Sequence, residues 1–418
     1  SVLVSPPSRH QAVAILAQVF LSTMRSLVAF ALAVAGSNVL ADTARPNILL
    51  LTTDQQRLDS LSCYGSTFVK SPNIDRLADE GVRFTESYTA SPVCESARTS
   101  WLTGTQVPVH NVWGNGVTIR REWRSNNFID PLREAGYYTA MMGKTHFDPV
   151  PKFDHKDVHT KNTDKRQPNT SAADFLETYL VNQTMSLLDG ELPSAKKIGA
   201  GQPWFIHLSF VSPHPPTNVP IEWQDMSFAY LPDPIYGGPE EIKGFPRQLQ
   251  QLQRIFGETE EKYAFPDGMA NVSFIKEQRP QYYALASYVD FQVGRMLDFL
   301  DERGLADNTL VIFSSDHGTN LFDHGMAQKY NFFDGSWRVP LLLRGPGLPR
   351  GETRGFASGV DVPATILGAA GAQRLSGLNG FDLYSALRGG QESPRPGGVA
   401  ASYMAGNAVV TPQWKLVY

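Results

Sequence analysis

The stretch Asn47-Ile48-Leu49-Leu50-Leu51-Thr52-Thr53-Asp54-Gln55-Gln56 decides the architecture. Its apolar residues are consecutive rather than alternate, the pattern of a parallel strand covered on both faces. A second run of this kind, Thr309–Ser314 (TLVIFS), leads into Ser315-Asp316-His317-Gly318. Further strands are expected over Tyr137–Met142, Trp204–Val211 and Val339–Leu343. Helical patterns separate them. Ser71-Pro72 opens one, with Ser71 as N-cap, Pro72 at the first helical position and Asp75 in the first turn. Its apolar stripe is Ile74, Leu77, Ala78 and Val82, and Gly81 ends it. A short helix is expected over Phe128–Ala135, and the longest helical pattern runs from Pro280 to Arg303, closed by Gly304. Strands that alternate with helices imply an α/β fold: a mostly parallel sheet sandwiched by helices.

Two stretches break the rhythm. Pro149–Gln202 is polar, and Pro215–Asn271 is rich in proline, glycine and aromatics. Both are expected as long insertions above the sheet, where binding surfaces are commonly built. There are no internal repeats. Asn169, Asn182 and Asn271 lie in Asn-x-Ser/Thr sequons.

With 418 residues, 42 % of them apolar and 19 % charged, the chain has ample material for a core and is not a disordered polymer. A net charge of −4 excludes a nonspecific nucleic-acid binder, which needs clustered Lys and Arg. Near the start, Met24-Arg25, the apolar Ser26–Gly36 and Val39-Leu40-Ala41 read as a signal peptide over 24–41 with cleavage after Ala41. Residues 1–23 then form upstream, non-structural sequence, and the product is exported, periplasmic or secreted. The alternative is a membrane anchor over Ala12–Gly36. Arg25 opposes it, because a charge at mid-bilayer costs about 2.5–3.5 kcal/mol. No other segment is long and apolar enough to span a membrane.

In an open α/β sheet, ligands bind beyond the carboxyl ends of the strands. Asp54-Gln55, Asp316-His317, Lys144 with His146, and His214 each follow a strand, so they converge if those strands are neighbours. Asp54, Gln55, Asp316 and His317 suit one divalent metal ion. Two carboxylates and an amide oxygen favour Ca²⁺ or Mg²⁺, and the imidazole leans toward Mn²⁺ or another transition ion. The two cysteines admit two readings. Cys63 and Cys94 can form a disulfide in an exported chain. Alternatively, Arg98, one helical turn from Cys94, stabilises a thiolate or oxyanion made from that side chain.

From about Arg45 onward the motifs resemble the type I, formylglycine-dependent sulfatases of the alkaline phosphatase superfamily. The core of the likeness is Cys94-Glu95-Ser96-Ala97-Arg98 followed by Leu102-Thr103-Gly104. Pro46-Asn47-Ile48, Ser71-Pro72-Asn73-Ile74-Asp75-Arg76-Leu77-Ala78, Gly143-Lys144-Thr145-His146, Ser315-Asp316-His317-Gly318, and His324-Gly325 through Lys329 to Arg338-Val339-Pro340 follow in the family's order. The resemblance implies that Cys94 is converted to formylglycine by a formylglycine-generating maturation enzyme. It implies Asp54, Gln55, Asp316, His317 and position 94 as metal ligands, with Ca²⁺ as the expected ion and Mg²⁺ or Mn²⁺ as alternatives. Arg98 resembles the residue that holds a formylglycine hydroxyl. Lys144, His214 and Lys329 resemble the sulfate-binding and leaving-group cluster, and His146 the base that releases sulfate. The implied substrate is a small-molecule or polysaccharide sulfate ester.

Three features depart from the family pattern. Ser96 replaces Pro or Ala in the signature, which bears on recognition by the maturation enzyme and leaves a non-catalytic relative as one alternative. Asp54-Gln55 replaces the commoner Asp-Asp. Asp-Gln also occurs in relatives that cleave phosphonate monoesters and phosphodiesters, although the Lys144-x-His146 pair favours a sulfatase. The chain stops where sulfatases continue into a small C-terminal antiparallel subdomain, so 42–400 is expected as the catalytic domain. Residues 401–418 are expected as the opening strand of a truncated subdomain that is largely missing. Asn115 is the candidate substrate contact, with a turn residue as the equal alternative. Trp113, His110, Trp223 and Tyr236 are weaker candidates for a sugar-binding face.

Overall fold

The computed structural model describes residues 45–159, 168–226, 228, 230–235, 272–395, 397–404 and 406–418. The signal-peptide region, Tyr236 and Asn271 lie outside these. Strand β1 (Asn47–Asp54) is buried along its whole length. It pairs in parallel with β5 (Trp204–Pro213) on one side and β6 (Thr309–Ser315) on the other. The remaining strands are β2 (Val82–Tyr88), β3 (Tyr138–Gly143), β4 (His155–Val158), β7 (Leu341–Arg344) and β8 (Gly351–Ser358). Together they form an eight-stranded sheet of order β4-β3-β5-β1-β6-β7-β2-β8. Only β7 runs against its neighbours.

The consecutive leucines of β1 feed two cores. Ile48 and Leu50 join Trp101, Leu102, Ile129, Leu132, Ile366 and Leu367 on one face. That layer is carried by α2 (Cys94–Thr103), α3 (Ile129–Glu134), α6 (Asp361–Ala370) and α7 (Leu383–Arg388). Leu49 and Leu51 join Ile74, Leu77, Leu180, Val293 and Leu297 on the other. Those side chains come from α1 (Pro72–Glu80), α4 (Leu176–Leu188) and α5 (Val272–Glu302). The apolar run is therefore a strand buried between two helical layers.

Several expectations are corrected. Pro149–Gln202 is not an insertion above the sheet: it supplies the edge strand β4 and the helix α4, whose Leu176, Leu180, Val181 and Leu187 pack under β3 and β5. Ser71 occupies the N-cap position of α1, but its hydroxyl turns to Asp75. Asp290 of α5 takes the helix-start N–H groups instead, at 3.1 Å from Asn73 and 2.7 Å from Ile74. Tertiary packing thus supplies the cap that local sequence suggested. Cys63 and Cys94 are both free thiols, so the disulfide reading fails. The tail expected to hold one opening strand forms a three-stranded antiparallel sheet of β9 (Val399–Tyr403), β10 (Gly406–Val410) and β11 (Lys415–Val417). Its inner face packs on Val93 and Trp337, directly before Cys94. Among the described residues, no helix is long and apolar enough to cross a membrane.

Two buried histidines are structural. His110 Nδ1 accepts from the Val112 N–H, which leaves Nε2–H for Ser100 Oγ at 2.9 Å. His207 contacts Thr52 Oγ1 at 2.8 Å inside the sheet. Burial pushes each down to about 3. An unfolded chain protonates both near pH 6.5 while the folded one does not, so stability falls as pH drops from 6.5 toward 3. Each histidine should add roughly 1.4 kcal/mol per pH unit to that slope. Urea unfolding between pH 7 and 4 should show it, and His110→Gln should flatten it.

Candidate active site

β3, β5, β1 and β6 are parallel neighbours, so their carboxyl ends open on one edge. Lys144, His214, Asp54-Gln55 and Asp316-His317 follow those ends and converge as expected. β2 leads through 89–93 into α2, whose first residue is Cys94. A β-irregularity between Thr52 and Asp54 ends the β1 ladder, and Gln55 turns to φ +67°, a left-handed conformation unusual for a side-chain-bearing residue.

The ligand atoms of Asp54, Cys94, Asp316 and His317 all lie within 4.8 Å of one another, and all four residues are buried. Cys94 Sγ is 3.1 Å from His317 Nε2 and 3.7 Å from Asp54 Oδ1. His317 Nδ1 is 2.7 Å from the Gly318 carbonyl and must donate to it, which leaves Nε2 facing the cluster. Gln55 Oε1 accepts from Lys329 Nζ at 2.6 Å, and Lys329 Nζ also reaches Cys94 Sγ at 3.2 Å. Lys144 Nζ binds Asp54 Oδ2. His214 donates Nδ1–H to the Pro215 carbonyl at 2.6 Å, which commits that nitrogen.

Arg98 is wholly buried at the centre of this group. Its Nε binds Asp316 Oδ2 at 2.7 Å, and Nη1 binds the Lys144 carbonyl and Ser209 Oγ, each at 2.9 Å. Nη2 lies 3.7 Å from Asp54 Oδ2. Nη2 is buried without a hydrogen-bond partner among the described residues, and Cys94 acts on the guanidinium alongside Asp316 and Asp54. Burial opposes ionisation of Cys94, but Lys144, Lys329 and His317, with a hydrogen bond from His146, hold its thiol well below the ordinary range. Burial and Cys94 push Asp54 up, yet Lys144, His214 and Arg98 hold it well below the usual carboxylate range. Burial lowers Lys329, and Cys94 and Asp54 more than reverse this, so its ammonium is held above the ordinary lysine value. Burial pushes His214 down despite Asp54.

The remaining candidates divide. His146 is in the left-handed region at φ +48°, with Nε2 3.9 Å from Glu95 Oε2. Asn115 Oδ1 accepts from the Glu95 N–H at 3.2 Å, and the Glu95 carboxylate accepts from the Gly116 N–H. Asn115 thus supplies, from a neighbouring turn, the side-chain cap that Val93 cannot give α2. Trp113 binds Asn111 Oδ1 through its indole N–H at 3.0 Å. Trp223 packs on Tyr288 and Phe291, with ring centroids 5.4 and 5.9 Å away, and His110 is the buried structural residue described above. Sequence reading missed Ser209, Glu95 and Gln328, whose Oε1 accepts from Gln55 Nε2 at 3.4 Å. Ser209 lies inside an apolar strand, and only the fold shows which residues it meets.

Two carboxylates, an imidazole nitrogen and the Cys94 sulfur within one buried group fit a divalent cation, with the Gln55 amide beside them at Lys329. Lysines around the sulfur atom suit an anion. The class these features define is a hydrolase of anionic esters. The family model described as "Sulfatase" matches residues 46–372, and the chain belongs to the sulfatase family. It is 29 % identical to the choline-sulfatase of Rhizobium meliloti, over 90 % of this chain and 78 % of that protein. It is 27 % identical to the N-acetylglucosamine-6-O-sulfatase of Bacteroides thetaiotaomicron, over 90 % of this chain and 77 % of the relative. The crystal structure of the phosphonate monoester hydrolase of Agrobacterium radiobacter matches with a TM-score of 0.77 at 25 % identity, covering 90 % of this chain and 87 % of that one. The chain is a sulfuric ester hydrolase.

Two outcomes follow from this geometry. Arg98→Ala leaves Asp316 and Asp54 buried without their shared cation and should cost about 3–5 kcal/mol in metal-free protein, read from the urea midpoint. Asn115→Ala should cost about 1 kcal/mol with KM unchanged, as loss of a cap does. A raised KM at unchanged stability would make Asn115 a substrate contact instead.

Proposed function

We propose that this chain hydrolyses the sulfate ester of a sulfated carbohydrate or other organic sulfate, giving the free alcohol and inorganic sulfate. The nucleophile in this reading is a formylglycine at position 94. The observation that carries it is the convergence of Lys144, Lys329 and the Asp54–Asp316–His317 group on an unpaired, buried Cys94 at the start of α2. A formylglycine-generating enzyme would act on Cys94, and the hydrated aldehyde supplies an oxygen nucleophile there. Asp54, Gln55, Asp316 and His317, with position 94, would hold one divalent ion, Ca²⁺ first and Mg²⁺ or Mn²⁺ as alternatives. Bound there, the ion supplies fixed positive charge to the sulfuryl oxygens.

The chain's own residues divide the remaining work. Lys144 and Lys329 place ammonium charge where negative charge spreads over the sulfuryl oxygens. Lys329 Nζ, held protonated by Cys94 and Asp54, or His214 beside it, donates to the departing alkoxide. Asp316 takes the proton of the attacking hydroxyl, and His146 takes the second proton as sulfate leaves. Arg98 pairs with Asp316 and Asp54 and aligns them. Residues 42–400 form the catalytic domain, and the 24–41 signal peptide sends the protein to the periplasm or outside the cell. Carbohydrate as the alcohol is supported by the N-acetylglucosamine-6-O-sulfatase relative.

A second reading, phosphonate monoester or phosphodiester hydrolysis, is favoured by the Asp54-Gln55 pair and by the Agrobacterium hydrolase. Turnover of an aryl sulfate against the matching aryl phosphonate decides between them, with faster sulfate release expected. Mass spectrometry of the peptide containing position 94, from cells with a maturation enzyme, should show conversion of the thiol to the aldehyde. Cys94→Ala should abolish sulfate release, and full activity in that variant would sink the mechanism. Chelation should silence the enzyme, and added Ca²⁺ should restore it.

A further inference from the structure

Gln55 is the one metal-ligand candidate whose backbone is left-handed, and its amide oxygen is placed by that backbone. A glutamine does not rest there without support. Two hydrogen bonds grip it from opposite sides. Its N–H donates to Asp316 Oδ1 at 3.0 Å. Its carbonyl accepts from the Tyr282 hydroxyl at 2.7 Å, and the same hydroxyl accepts from the Arg57 N–H at 2.8 Å. Tyr282 is almost wholly buried on α5, far in sequence from β1. Its ring is wedged edge-on against Tyr283, with centroids 5.3 Å apart. Arg57 in turn anchors the loop that leads to Lys329, donating to the Thr319 and Asn320 carbonyls at 3.0 and 2.7 Å. One phenol oxygen therefore joins the turn after β1 to the long helix.

We infer that Tyr282 is a positioning residue for Gln55: its hydroxyl holds the turn at 55–57 so that the Gln55 amide oxygen stays at Lys329 Nζ, which also meets Cys94 Sγ, where it would join Asp54, Asp316 and His317 around a divalent ion. Tyr282 touches neither Cys94 nor the carboxylates in the contacts described, so it acts through Gln55. The inference rests on the reading of that group as a divalent-ion site. Outer-shell partners of this kind alter metal affinity by about 10–100-fold when removed.

The test is Ca²⁺ affinity of the full chain, measured by titrating chelator-stripped protein with CaCl₂ and following thermal unfolding and heat of binding. Tyr282→Phe keeps the ring and deletes the hydroxyl, and should weaken Ca²⁺ binding about 10-fold. Tyr283→Phe deletes a neighbouring buried hydroxyl that has no hydrogen-bond partner among the described residues, and should leave Ca²⁺ binding unchanged. In a Gln55→Ala background, Tyr282→Phe should cause no further loss of affinity, because the ligand it positions is gone. This cycle separates positioning from general loosening, which would add in both backgrounds. Equal Ca²⁺ affinity in wild type and Tyr282→Phe, or full additivity in the cycle, overturns the role of Tyr282 while leaving the metal site standing. No Ca²⁺, Mg²⁺ or Mn²⁺ response in wild-type protein overturns both.

Discussion

The buried guanidinium of Arg98 is the interaction on which the rest of the site depends. It joins Asp316 after β6, Asp54 at the end of β1, the Lys144 carbonyl after β3 and Ser209 within β5. Carboxylates removed from water repel one another and lose hydration, and neither effect is tolerable without a matching cation. Arg98 supplies that cation in a planar fork that can reach several acceptors at once, which a lysine cannot do. Because it spans four strand ends and the helix carrying Cys94, it also locks the nucleophile position to the sheet. Lys144, held by Asp54, and Lys329, held by Gln55 and Cys94, complete the positive charge that an anionic ester requires.

The sheet makes this concentration of charge possible. β1 is buried on both faces, so its backbone is rigid and its carboxyl end is the natural exit for polar residues. Two helical layers exclude water from below, and the small C-terminal sheet packs on Val93 immediately before Cys94. Low dielectric surroundings strengthen each contact among Arg98, the lysines and the carboxylates. The strained turn at Gln55 is tolerable for the same reason: the elements around it are too well packed to relax.

Much of the fold was legible in the chain. Runs such as Asn47–Thr52 and Thr309–Ser314 can only be double-sided strands, and the polar residues after them follow from the parallel rule. The weaker elements were not legible. β2 reads Val-Arg-Phe-Thr-Glu-Ser-Tyr, an alternation that a surface loop or an edge strand could share, and its central place comes from pairing with β7 and β8. β4 and α4 sit in a polar stretch where four buried apolar side chains carry little signal. The tail looked like one strand because the burial of β9 and β10 comes from packing on Val93 and Trp337, which are distant in sequence, and β11 is exposed and held by pairing with β10.

At the site, residue type and spacing determined which side chains could act: an Asp-Gln and an Asp-His after two strands, a Cys-x-x-x-Arg and a Lys-x-His; Lys329 was added only by the family resemblance. These are chemical facts about the chain, independent of how it packs. Partnership was decided only in three dimensions. Helical spacing related Arg98 to Cys94, and packing added Asp316 and Asp54 as partners of its guanidinium. Asn115, a candidate substrate contact, also accepts from the Glu95 N–H at the start of α2, a partnership the sequence did not show. Tyr282, more than two hundred residues from Gln55, carries no motif at all. Hydrogen bonds and desolvation act through space over a few ångströms, and only the folded chain brings such distant residues that close.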